Sequence, residues 1–265
     1  MVRELTILKL GGSSITKKDK LFTPNVNAIN RLAGEIKKAR VKPLLIIHGG
    51  GSFGHPVAKK YKIKEGYIAQ TQLQGFSKTH YAMVKLNRLI LDSLIRRGIP
   101  AVTIQPSACI VTKNGRIKYM EKRPLINLLE IGVIPLLYGD AVIDLTKGFT
   151  ILSGDQLASS LAVNLNARRI IFGVDVDGLF AVDPKLDSTA KFFKQLSLNQ
   201  LEKLKRSLGE SDVTDVTGGM RGKILELAPA IQRGVPAIIV NAAKPGRIYK
   251  ALKGKKVIGT IITAR

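Results

Sequence analysis

Lysine and glycine are the residues this chain places in a pattern that could do chemistry. Four segments set glycines directly after an apolar run: Lys9-Leu10-Gly11-Gly12-Ser13, the run from His48 through Gly49, Gly50, Gly51, Ser52, Phe53 and Gly54 to His55, Leu152-Ser153-Gly154-Asp155, and Asp215 through Gly218 and Gly219 to Lys223. Glycine tolerates positive φ and leaves its backbone N–H open to a ligand. Where a helix follows, its N-terminus adds positive potential. Such a loop suits a phosphate, and four of them, with lysines at two, suit several phosphates in one site.

The elements that would carry these loops can be read from the apolar spacing. Leu5–Leu10, Leu44–Ile47, Ala101–Ile104, Val133–Tyr138, Arg169–Gly173, Ala237–Val240 and Val257–Thr263 read as strands. Asn27–Arg40, Gly75–Arg97, Pro124–Glu130, Leu198–Arg206 and Met220–Arg233 read as helices, and Ser153 as the N-cap of another reaching Leu165. Ile110–Tyr119 reads as a hairpin turning at Asn114-Gly115, with a second hairpin from Gly139-Asp140 through Lys147-Gly148. Alternating strand and helix predicts a three-layer αβα sandwich around an open, mainly parallel sheet, whose ligands sit beyond the carboxyl ends of the strands. No linker, repeat or low-complexity tail divides the chain, so one chain-length fold is expected, with room for two lobes.

Composition narrows the classes. The chain has 265 residues, 43 Lys plus Arg against 19 Asp plus Glu, and a formal charge of +24. That excess suits nucleic acid, an anionic membrane surface or an enzyme of anionic substrates. The basic residues are scattered and no RNA-binding signature accompanies them, so nucleic acid is not the expected partner. Cys109 is the one cysteine, and no Cys/His cluster has zinc spacing, which suits a reducing cytoplasm. No signal peptide is read at the start, and no apolar run is long enough to span a bilayer. Gly49-x-Gly51-x-x-Gly54 matches the dinucleotide fingerprint after a strand. The acid which that reading needs further along falls at Glu65, inside Tyr61–Gly66, which is no buried strand, and no Walker A sequence is present.

Lys9-Leu10-Gly11-Gly12-Ser13 resembles the opening of the amino acid kinase superfamily. His48–Pro56, Ser153–Leu157, Gly173–Phe180 and Thr214–Ile224 resemble its isopentenyl phosphate kinase branch, in order, from Leu8 to Thr260. Fosfomycin-type kinases are similar at the second loop. The resemblance implies transfer of the ATP γ-phosphoryl group to isopentenyl phosphate, with Mg²⁺, in a cytoplasmic homodimer. It implies an N-terminal lobe of about 1–150 for the acceptor and a C-terminal lobe of about 151–265 for ATP. A phosphate monoester is largely a dianion at neutral pH and needs no general base. The site must instead bring two anions together and neutralise spreading charge.

On that resemblance Lys9 lies beside the β- and γ-phosphates, Lys18 is the transition-state lysine, and Gly11, Gly12 and Ser13 bind ATP phosphates. Gly49, Gly50 and Gly54 wrap the phosphates, and His55 hydrogen-bonds the acceptor phosphate. Asp155 orients Lys9 and Lys18 or a magnesium water. Asp175 contacts the nucleotide, Gly219 and Lys223 contact ATP phosphates, and Gly154 joins the acceptor site. Phe76, His80 and Met83, at helical spacing, are candidates for the isoprenoid wall, although such a stripe also suits a core. His48 reads as structural. A kinase of another small phosphate or phosphonate remains an alternative, as does a non-catalytic nucleotide- or anion-binding protein.

Overall fold

The computed structural model describes residues 4–181, 187, 189–201 and 220–265. In chain order the elements are β1 (Thr6–Leu10), α1 (Gly12–Ile15), α2 (Val26–Ala39), β2 (Leu44–His48), α3 (Gly51–Lys60), a 3₁₀ turn (Ile63–Glu65), α4 (Thr71–Ile95), β3 (Ala101–Thr103) and α5 (Pro106–Cys109). There follow β4 (Ile110–Lys113), β5 (Arg116–Met120), α6 (Arg123–Glu130), β6 (Ile134–Tyr138), β7 (Asp140–Asp144), β8 (Gly148–Leu152) and α7 (Gly154–Asn164). The chain closes with β9 (Arg169–Val174), β10 (Leu179–Phe180), β11 (Phe192–Phe193), β12 (Gln195–Ser197), α8 (Met220–Gln232), β13 (Ala237–Asn241), α9 (Arg247–Leu252) and β14 (Gly259–Thr263).

An eight-stranded sheet runs β12-β14-β13-β9-β1-β2-β6-β3. Its pairings are parallel except β13 with β14. Alternation along β1 and β2 splits the core into two layers. Leu5, Ile7, Leu45 and Ile47 pack with Leu157 and Leu161 of α7 and Leu227 and Ile231 of α8. Leu8, Leu10, Leu44 and Ile46 pack on the opposite face with Leu32 and Ile36 of α2, Leu86 and Ile90 of α4, and Leu252 of α9. Lys9 shares the face of Leu5 and Ile7 by the two-residue period of a strand, which aims it at the start of α7. The expected layered, mainly parallel sheet is the observed one.

The two hairpins form where expected and join into a second sheet, β5-β4-β7-β8. Buried Asp144 knits them, accepting from the backbone of Gly115 at 2.7 Å, Asn114 at 3.2 Å, Thr146 at 2.9 Å and Lys147 at 2.9 Å, and from the Thr112 hydroxyl at 2.8 Å. Gly75 does not open its helix, as the spacing predicts. α4 begins at Thr71, and a Cβ at Gly75 would overlap the Tyr61 side chain, so this glycine marks a close approach to the end of α3. The strand expected from Val257 begins at Gly259, and β10, β11 and β12 are too short to show in the apolar spacing. Most of the helix expected over Leu198–Arg206 lies outside the described residues. Among the described residues no helix is long and apolar enough to cross a membrane.

Candidate active site

The ends of β1, β2 and β9 and the start of α7 converge on one cleft of about 870 Å³. Gly11 N–H donates to Gly173 O at 2.7 Å, and Gly49 N–H to Leu10 O at 3.0 Å, which lays the first two glycine loops against each other. The contact is backbone on backbone: a Cβ at Gly12 would overlap the amide of Gly51. Thr16 locks the pair, its hydroxyl donating to Gly12 O at 2.8 Å and accepting from Ser52 N–H at 3.0 Å. α3 starts at Gly51, so the second glycine run is a helix N-terminus. Gly154 makes a looser approach, since a Cβ there would sit 3.2 Å from His48 O. Ser153 caps α7, its side chain accepting from Gln156 N–H at 3.0 Å.

The charges are arranged around Asp155. Its Oδ1 is 2.5 Å from Lys9 Nζ and its Oδ2 is 2.9 Å from Lys223 Nζ. Lys9 is 3% exposed, and it also lies over the Phe172 ring. Burial, only partly offset by Asp155, pushes the Lys9 ammonium below its ordinary pKa. Burial pushes the Asp155 carboxyl up, but Lys9 and Lys223 outweigh it and hold the group below the usual carboxylate range. One carboxylate therefore keeps two ammonium groups close together at the mouth of the glycine loops.

Lys18 corrects one expectation. It pairs with Asp175 at 2.6 Å rather than with Asp155. The reason is strand order: β9 lies beside β1, so Asp175, just past β9, meets the loop that follows α1, while Asp155 is filled by Lys9 and Lys223. Next in the same turn, Asp177 is clamped by Arg247 Nη1 at 2.7 Å and Asn241 Nδ2 at 2.8 Å.

His55 lies on α3 and faces the cleft, whose wall on this side includes Ala58, Met83 and Ile151. Burial, then Lys223 and Lys9, push its pKa below the ordinary histidine value, so the ring is neutral at pH 7. His48 is structural, as expected. It is fully buried, with ring nitrogens 3.1 Å from Gly49 O and 3.3 Å from Asn87 Oδ1, and burial pushes its pKa down to about 4.

The cleft thus gathers Lys9, Gly11, Gly12, Ser13 and Lys18 from the first loop and Gly49, Gly50, Gly54 and His55 from the second. Gly154, Asp155, Asp175, Lys223 and Met83 join them. Two candidates do not line it. Phe76 packs instead against Phe149, at 5.1 Å between ring centroids, in the small core under the second sheet. His80 turns to Asp140. Gly219 lies outside the described residues.

Asp140, Lys64, Thr79 and Glu226 also line the cleft, and none of them was expected there as a site residue; Asp140 was expected as the start of a hairpin. Glu226 was within reach of the sequence, because it stands three residues after Lys223 on one helix face. Lys64 sits in a polar stretch with no pattern to mark it.

This geometry fits what the comparisons find. Residues 4–241 match the amino acid kinase family. The chain belongs to that family. Its amino acid kinase relatives include the isopentenyl phosphate kinase of Methanothermobacter thermautotrophicus, 42% identical over 98% of this chain and all of the relative. The enzyme of the same name from Methanocaldococcus jannaschii is 38% identical over 97% of this chain and 98% of its own length. A crystal structure of isopentenyl phosphate kinase superposes with a TM-score of 0.85 at 38% identity, covering 97% of this chain and all of that one.

Proposed function

We propose that the chain transfers the γ-phosphoryl group of ATP to isopentenyl phosphate, giving isopentenyl diphosphate and ADP. The observation that carries this reading is the Lys9–Asp155–Lys223 cluster opening on two facing glycine loops, with His55 on the second. Relatives that bear the name isopentenyl phosphate kinase across nearly the whole chain support it.

The acceptor's phosphate dianion attacks without a base, so the chain's task is positioning and charge neutralisation. His55, neutral at pH 7, donates a hydrogen bond to the acceptor phosphate and holds it in line. The Gly50 amide, at the start of α3, takes one of its remaining oxygens, while Gly49 and Gly54, which lack side chains and have their own N–H groups bonded to Leu10 O and Gly50 O, leave room for the phosphate. Lys9 and Lys223, held by Asp155, stand on the transferring group and β-phosphate. Lys18 exchanges its contact with Asp175 for the equatorial oxygens as charge spreads over them. The apolar side of the cleft, at Ala58, Met83 and Ile151, takes the hydrocarbon tail.

Mg²⁺ fits this site as a companion of ATP. Among the described residues no group of three or more His, Cys, Asp or Glu is placed to hold a metal ion, and Mg²⁺ is commonly held by substrate phosphates and water. When bound, it neutralises charge on the β- and γ-phosphates. The same reading takes about 1–150 as the acceptor lobe, about 151–265 as the ATP lobe, a homodimer as the assembly and the cytoplasm as the compartment.

The test is ADP release with ATP and Mg²⁺, offering isopentenyl phosphate, fosfomycin, uridylate and N-acetylglutamate in parallel, beside His55→Ala. Turnover confined to isopentenyl phosphate and collapsing in the variant is the expected result. Turnover on another acceptor alone overturns the substrate assignment.

A further inference from the structure

The cleft that must receive an anionic acceptor has a carboxylate built into its wall. Asp140 opens β7, and its side chain is fully buried. It belongs to the same cleft surface as His55, Lys64 and Met83. An anion in that place repels a phosphate through a medium that screens poorly. Neither Lys9 nor Lys223 answers it, because both are committed to Asp155. The group that meets it is His80, which does not itself line the cleft. The ring Nδ1 lies 3.0 Å from one carboxylate oxygen and 3.1 Å from the other. Asp140 Oδ1 also accepts from Ala141 N–H at 2.9 Å, which fixes the carboxylate on the strand.

We propose that His80 is a positioning residue for the acceptor, acting through Asp140. As imidazolium it cancels the buried carboxylate, so the acceptor phosphate can settle against His55 and the second glycine loop. This rests on the reading of the cleft as a kinase site for a phosphate-bearing acceptor. It replaces the expectation that His80 touches the hydrocarbon tail.

The surroundings support a titrating ring. It is 27% exposed, so it exchanges protons with solvent. The hydrogen bond to Asp140 is the largest influence on the ring and holds its pKa above the ordinary histidine value, against a smaller opposing effect of burial. Elements packed against α4 also carry His55, Lys59 and Lys60 on α3, Lys64 and Glu65 in the 3₁₀ turn, Tyr138 at the end of β6 and Asp144 at the far end of β7. Among the described residues, Asp140 is the one charge that acts on the ring's protonation. The compensation is complete at acid pH and is lost as pH rises through the raised value.

The experiment compares wild type with His80→Gln, Asp140→Asn and the double variant at about pH 6, below an ordinary histidine pKa, and at a higher pH set about two units above the His80 pKa that the NMR titration below gives. Gln keeps a donor toward Asp140 and removes the titration, so the fold is retained. The KM for the acceptor and the KM for ATP are measured separately. The ratio of variant to wild type cancels the titration of the acceptor phosphate itself. We expect His80→Gln to raise the acceptor KM about tenfold at the lower pH and hardly at all at the higher one, with the ATP KM unchanged. Adding Asp140→Asn should restore the acceptor KM. A titration of the His80 ring by NMR should show its pKa fall in Asp140→Asn. A KM ratio equal at both pH values, or a double variant no better than His80→Gln, overturns the proposal. The acceptor used is whichever one wild type phosphorylates. A wrong acceptor then shows in wild type alone, and a wrong role for His80 shows in the ratios.

Discussion

Replacing Asp155 by Asn should damage stability and catalysis together, for one electrostatic reason. The carboxylate oxygens stand 2.5 Å from Lys9 Nζ and 2.9 Å from Lys223 Nζ, with side-chain exposures of 15% for Asp155, 4% for Lys9 and 24% for Lys223. Opposite unit charges about 3 Å apart attract by about 5 kcal/mol at an effective dielectric constant of about 20. Desolvation cancels much of that, and measured losses on deleting one partner of a buried pair are about 3–5 kcal/mol. Asparagine fills the same volume, so packing is not what changes. It leaves two ammonium groups facing each other, one of them almost wholly buried. For a chain of this size the loss corresponds to a fall of about 10 °C in Tm. The assay is thermal unfolding with and without ATP and Mg²⁺. The variant should recover more of its stability from the nucleotide than wild type does, because the phosphates replace the missing charge. In turnover, kcat should fall about 100-fold as the lysines part, a loss typical of misplaced transition-state donors. A Tm within about 2 °C of wild type, with kcat preserved, would refute the bridging role of Asp155.

Four further outcomes are expected. His55→Ala should lower kcat/KM for the acceptor by about 100-fold while the ATP KM stays put, read from initial rates with each substrate varied in turn. His48, buried neutral with its pKa near 4, binds fewer protons folded than unfolded below about 6.5. Its contribution is complete above that value and is lost by about 3 kcal/mol as pH falls toward 4, so His48→Gln should flatten that limb in urea-unfolding midpoints. Gly12→Ala should cost more than about 3 kcal/mol and disable the site, because the new methyl overlaps the Gly51 amide. Gly34→Ala, inside α2 with its nearest contact at 3.8 Å, should instead stabilise by about 0.5–1 kcal/mol in the same unfolding assay.

Local signals are legible in the sequence by itself. Apolar runs that end in glycine place the phosphate loops at strand ends. The two-residue period aims Lys9 at one face of the sheet, Ser153 is readable as a cap, and Asn114-Gly115 as a hairpin turn. Each depends on residues within a few positions of one another, where backbone sterics and hydrogen bonding decide the outcome. Family resemblance extends this to the roles expected of His55 and Lys223.

What the fold alone decides lies between segments distant in the chain. Asp155 has no cation near it in sequence, and the packing of α7 and α8 against β1 makes it the bridge between Lys9 and Lys223. Lys18 meets Asp175 because β9, not β2, flanks β1 on that side. Phe76 and His80 share a helical stripe with Met83, but only Met83 reaches the cleft, because the second sheet covers the first and Asp140 engages the second. Side-chain spacing along a helix tells which residues share a face; which neighbour that face meets depends on the order in which distant strands pair.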